Sequence, residues 1–158
     1  VAGILGGGEE LLGRSLNIAN IIANNGQNTP NSGIAGHKNS FDAQIILHDF
    51  QLRGIPIKDG MAGVAQELKQ GLRMYRQSKT ILAIKKLSPT EAQIHIFTLD
   101  DEPTFQKLVN FWVGKLKEAG CKIIYDSVAD PHMVKALQQA GVQLQQPTNP
   151  KYKLMGLI

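Results

Sequence analysis

The sequence predicts a mixed α/β domain, a β-sheet flanked by helices on its faces, behind a Gly/Asn-rich N-terminal arm. Three observations predict it. Between residues 41 and 158, apolar residues switch repeatedly between period-two and helical spacing. Two helical stretches follow strand-like runs and lead into further strands, an order that places helices against a sheet. A chain of 158 residues that is 42% hydrophobic and 19% charged suits one buried core and excludes a disordered acidic tail. No apolar run reaches the roughly 20 residues that span a bilayer, so no integral membrane segment is expected.

The elements follow in order. Ala43 to Leu52 is apolar enough for a strand. Met61 to Gln77 reads as one amphipathic helix with Met61, Val64, Ala65, Leu68, Leu72 and Tyr75 on its buried stripe. Thr80 to Leu87 is a strand, Ser88-Pro89-Thr90 a turn, and Ala92 to Thr98 a second strand. In that second strand Ala92, Ile94 and Ile96 alternate with Gln93, His95 and Phe97, which puts His95 toward solvent. Pro103 opens a helix with a core stripe of Phe105, Leu108, Val109, Trp112 and Leu116, closed by Gly120. Cys121 to Val128 is a buried central strand. A short helix, Pro131 to Ala140, ends at Gly141, and Val142 to Gln145 pairs with Tyr152 to Ile158 across the QPTNP turn.

Residues 1–40 differ in kind. Eight of the 16 glycines fall in residues 1–36, and Asn24 to Ser40 has turn and loop chemistry almost throughout. Glu9 to Asn24 suits a short helix with acids in its first turn. Its apolar face, Leu11, Leu12, Leu16, Ile18, Ile21 and Ile22, has no evident partner within the chain, so it is expected to dock on another subunit. The expected division is an arm over 1–40 and an α/β domain over 41–158. GILGGG near the start lacks the preceding strand that a dinucleotide-binding turn needs. The opening Val1 fits a processed or trimmed chain.

The net charge of +4 is local. Residues 61–90 hold six Lys/Arg against one acid, while 91–158 hold seven of each sign. Lys69, Arg73 and Arg76 lie at helical spacing, followed by Lys79, Lys85 and Lys86. This patch is either a solvated face or a site for nonspecific contact with nucleic acid or an acidic partner. His37, His48, His95 and His132 show no metal-binding spacing. His48 and Asp49 would point to opposite faces of a strand and form no dyad. Cys121 is the single cysteine, which leaves no internal disulfide and reads as a small apolar filler.

Over residues 41–158 this pattern resembles the GNAT fold of acetyl-coenzyme A-dependent N-acetyltransferases. The likeness is closest in 121–158, where a buried strand, a helix closing in Ala140-Gly141-Val142 and a terminal hairpin follow one another. Family members cradle the cofactor pyrophosphate on a Q/R-x-x-G-x-G/A loop before the long helix. At the matching place this chain has Leu99-Asp100-Asp101-Glu102-Pro103-Thr104: three acids for the glycines, and a proline that lacks an N–H. Many members also carry a tyrosine four residues before the helix-ending glycine, to protonate the leaving thiolate. Leu137 stands there. Gln138 to Gly141 matches Q-x-x-G, but at a helix end where carbonyls point outward.

The resemblance therefore implies a degenerate GNAT-like domain with no catalytic, cofactor or metal residues to assign and no bound coenzyme. Asp130-Pro131-His132, entering the last helix, and the strand that runs directly into the long helix are similar to non-catalytic GNAT-like virion proteins of tailed bacteriophages. The expected function is a structural or interaction protein of a virion, assembled in the host cytoplasm, docking through the arm onto other protein subunits. The alternative is an N-acetyltransferase with an atypical cofactor site, transferring an acyl group from acetyl-CoA to an amine.

Overall fold

The computed structural model describes residues 12–25 and 40–158. Seven strands form one sheet in the order β1-β2-β3-β4-β5-β7-β6. They are β1 (Arg14–Ser15), β2 (Arg73–Gln77), β3 (Thr80–Ser88), β4 (Glu91–Thr98), β5 (Ile123–Asp126), β6 (Gln143–Gln145) and β7 (Leu154–Leu157). Neighbours are antiparallel except β4 and β5, which are parallel. The helices are α1 (Ile18–Asn25), α2 (Phe41–Leu52), α3 (Ile57–Lys69), α4 (Glu102–Glu118) and α5 (Pro131–Gln139).

Alternation on the central strands builds a core on each face. Ile81 and Ala83 of β3 join Met74 and Phe97 beneath α1, α2 and α3. Leu82 and Ile84, with Ala92, Ile94 and Ile96 of β4, face α4 and α5. Trp112, Val109 and Leu116 of α4 and Leu137 of α5 close that second layer. α4 starts at Asp101, whose side chain accepts the Thr104 N–H, with proline in its first turn.

Two elements differ from the sequence reading. Residues 43–52 form a helix, not a strand. A short apolar run fits either state, and here Ser40 decides by capping it, its Oγ accepting the Ala43 N–H at 3.2 Å. Ala43, Ile46 and Phe50 then line its buried side. The long helix expected to Gln77 stops at Lys69: Gly71 takes a left-handed φ of 100°, and the chain turns into β2. Tyr75, expected on a helix stripe, is buried on β2.

The N-terminal residues also differ. Leu12 is buried in the core beneath α4 and α5, Leu16, Ile18 and Ile21 in the core beneath α1, α2 and α3, and Ile22 is half-buried against the latter. They are not a free docking face. β1 pairs with β2, and Leu16 N–H bonds to Met74 O at 3.0 Å. Leu12 O accepts the Trp112 indole N–H at 2.7 Å and the Gln77 amide at 3.0 Å. The partners come from 65 to 100 residues away, beyond the reach of local pattern. Leu11 and most of the Gly/Asn-rich stretch lie outside the described residues.

Candidate functional site: a groove at the ends of the parallel strands

β4 and β5 pair only from Glu91↔Ile123 to Gln93↔Tyr125, after which β4 runs on to Thr98 while β5 ends at Asp126. The two strands thus part toward their carboxyl ends, the place where open α/β sheets bind ligands. A groove of about 550 Å³ lies at the β4 end of this opening, between Thr98, the first turns of α4, and α5. Leu52, Pro103, Phe105 and Ala136 give it an apolar lining, and Thr98, Gln106 and Gln139 add hydrogen-bonding groups. Glu102 and His132 face each other across its rim at 3.7 Å.

The head of α4 is closed by its own acids. The Asp101 carboxylate accepts the Thr104 N–H at 2.9 Å, and this backbone bond holds its pKa below the usual carboxylate range. Asp100 accepts the Lys79 N–H at 2.8 Å and the hydroxyls of Ser78 and Thr80. Its carboxylate ties the β2–β3 turn to the start of α4, which accounts for Ser78 holding a left-handed φ of 52°. Pro103 offers no N–H. Two carboxylates therefore use donors in this region, and an incoming anion meets negative charge. Coenzyme A, which the fold implies, does not fit these residues in its usual manner. Leu137 is fully buried and supplies no proton.

On the opposite face, where the strands part, His95 sits between two carboxylates. Its Nδ1 lies 2.9 Å from Asp126 and its Nε2 3.2 Å from Asp49. It is half-buried and not turned to solvent, because α2 covers this part of β4. Burial pulls the imidazole pKa down, but the hydrogen bonds and charges of Asp126 and Asp49 outweigh it and raise it to about 9. Burial likewise pushes Asp49 up, but His95 and the adjacent Arg53 outweigh it and hold its carboxyl low. At neutral pH the cluster is an imidazolium clamped by two anions. Both ring nitrogens are engaged, so His95 is neither a base nor a metal ligand in this state. Among the described residues no group of three or more His, Cys, Asp or Glu is placed to hold a metal ion. Sequence spacing could not find this trio, because it joins α2, β4 and β5. Its one signal is an aspartate closing the apolar run Ile123-Ile124-Tyr125.

The basic residues do not form one stripe. Lys69 ends α3, while Arg73 and Arg76 lie on β2 at an odd spacing that sends them to opposite faces. Arg76 pairs with Asp42 at 2.7 Å and covers the Phe41 ring. Lys85 is buried, bonded to Glu67 and Gln70. Lys79 and Lys86 are exposed, on the β2–β3 turn and β3 respectively. Cys121 is buried, and burial pushes its thiol up to about 11, which leaves it unreactive.

A seven-stranded mixed sheet, parted between its two parallel strands and flanked by helices on both faces, defines a GNAT-like fold. Among solved structures it is similar to aminoglycoside acetyltransferase AAC(6')-Ib in complex with coenzyme A, at 13% identity and a TM-score of 0.52, over 72% of this chain and 84% of that one. That identity shows the shared fold alone. Looser likenesses are an acetyltransferase from Bacillus subtilis in complex with CoA (16% identity, TM-score 0.44, 61% of this chain and 80% of that one) and a spermidine N-acetyltransferase SpeG chimera from Vibrio cholerae and hSSAT (11%, 0.45, 91% and 92%). No family model and no curated protein matches the sequence. None of these comparisons bears on the expected virion placement. Among the described residues no helix is long and apolar enough to cross a membrane.

Proposed function

We propose that the protein is an N-acyltransferase with an atypical donor site, which moves an acyl group from a thioester to an amine. The observation that carries this reading is the groove of about 550 Å³ at the carboxyl end of β4, between α4 and α5. Beyond Gln93 β4 makes no ladder pairs with β5, so backbone groups near its end can pair with an extended, amide-bearing donor arm. Bringing amine and thioester together in such a groove is itself a source of rate, since orientation replaces a bimolecular encounter. The likeness to a coenzyme A complex supports the same reading at the level of fold.

A second reading has its own support. The acids at the head of α4 and the leucine at position 137 favour a non-catalytic interaction protein, working with other subunits of an assembly such as a virion. Incubating the protein with acetyl thioesters and a panel of primary amines, while following free thiol and N-acetyl product by mass spectrometry, separates the two. Amine-dependent release of thiol with matching product supports transfer. Absence of both binding and turnover with every thioester leaves the interaction reading standing.

A further inference from the structure

Resting on the acyl-transfer reading, we propose that the donor is a thioester without a pyrophosphate, of the acyl-pantetheine class, and not a coenzyme A thioester. The groove offers different surroundings at its two ends. Its interior suits an uncharged arm: Leu52, Phe105 and Pro103 give apolar contact, and the Gln139 amide and the Gln106 side-chain carbonyl can meet amide and hydroxyl groups. Its exit toward α4 is where a pyrophosphate would have to lie, and there Asp101 and Glu102 stand exposed while Asp100 faces the groove.

A helix N-terminus favours an anion by its dipole and its free N–H groups. In α4 that preference is already met by the Asp101 carboxylate, 2.9 Å from the Thr104 N–H. A diphosphate would have to displace this cap and sit beside two further acids. Lys135 and His132 are the bases on the lining, on α5 across the groove, and His132 already faces Glu102. An arm that ends at a hydroxyl, as pantetheine does, avoids the conflict.

The chemistry balances with such a donor. The amine nitrogen attacks the thioester carbonyl, a C–N bond forms and the C–S bond breaks. The proton lost by nitrogen passes to the departing thiolate, which leaves as free thiol.

Calorimetry with acetyl-pantetheine and acetyl-coenzyme A, at low and at high salt, tests the proposal. Acetyl-pantetheine is expected to bind the more tightly, and the gap between the donors should narrow as salt screens the acids. The double variant Asp101→Asn, Glu102→Gln keeps a capping oxygen on α4 and removes two charges. It should narrow the gap about tenfold, the size expected of two nearby charges in partly screened solvent. Any preference of the unaltered protein for acetyl-coenzyme A overturns the proposal and leaves acyl transfer intact. Binding of neither thioester overturns both.

Discussion

His95 and Asp126 join β4 to β5 just where the two strands stop pairing. The imidazole Nδ1 lies 2.9 Å from the Asp126 carboxylate, one residue past the last β5 residue paired with β4. The other ring nitrogen reaches Asp49, so a single side chain fastens α2 to both parallel strands. A charged histidine held between two anions is a stability device as well as a structural one, and it makes the fold sensitive to base.

The sign of that sensitivity follows from the pKa. His95 is raised from 6.5 to about 9, so its contribution is fully present below 6.5 and is lost as pH climbs through 9. One pKa unit corresponds to about 1.4 kcal/mol, which puts the full loss on the order of 3–4 kcal/mol, about 2–3 kcal/mol of it between pH 7 and pH 10. Urea unfolding at pH 7 and pH 10 should show the midpoint falling, and His95→Gln should be destabilised at pH 7 while losing most of the alkaline dependence. An unchanged slope in the variant would mean that another group titrates. At the acid end Asp49, held low by His95 and Arg53, gives up its contribution as pH falls below about 4.

Two glycines of one helix should respond oppositely to alanine. A Cβ on Gly60 would lie 2.5 Å from the ring of Phe50, which is buried in the core beneath α2. Gly60→Ala is therefore expected to cost about 1–3 kcal/mol through overpacking, despite alanine's better helix propensity. At Gly63 nothing lies within 4 Å, and Gly63→Ala should stabilise by up to about 1 kcal/mol. Thermal melts of the two variants decide it. Equal gains at both positions would show that α2 and α3 do not pack this closely.

Lys85 separates a buried ion pair from a solvated patch. Its side chain is 5% exposed and bonds to Glu67 of α3 and to Gln70 just past the helix end, so its ammonium belongs to the contact between that helix and the sheet. Lys85→Ala should cost about 1–3 kcal/mol, less than for a fully buried pair because Glu67 keeps contact with water. Lys85→Met, which refills the volume, should cost less. Retention on a polyanion column should be the same for Lys85→Met as for the unaltered protein. Earlier elution would return Lys85 to the exposed patch.

Much of this architecture could be read from residue order. α4, α5, β3, β4 and the terminal β6–β7 pair fall where apolar periodicity and the Pro and Gly boundaries predict them, because each is defined by its own neighbours in sequence. The closed head of α4 and the leucine at 137 were legible for the same reason: one position, compared with one motif. What failed depended on distance. The apolar run at 43–52 is ambiguous until Ser40 caps it, and Asp49 becomes meaningful only once that run is helical and set over β4. Likewise nothing near Leu12 announces that its carbonyl will hold the Trp112 indole, 100 residues on.

That last contact makes the N-terminal residues part of the body, and truncation tests it. Leu16 is buried among Ile18, Ile45, Met74 and the rest of the α1–α3 core, and Leu16→Ala should cost about 2–4 kcal/mol through lost burial and the cavity left behind. Removing the residues up to 25 takes away β1, α1, the carbonyl that satisfies Trp112 and the arginine paired with Asp42 at 2.7 Å. The remainder would expose Met74 and Ile46 and leave a buried indole N–H without its partner. Such a truncation is expected to melt early or aggregate, where a removable arm would leave a stable, monomeric remainder. Size-exclusion chromatography and a melt on the shortened chain distinguish the two: a monodisperse product with an unchanged midpoint would show that residues 12–25 contribute no stability to the sheet they border.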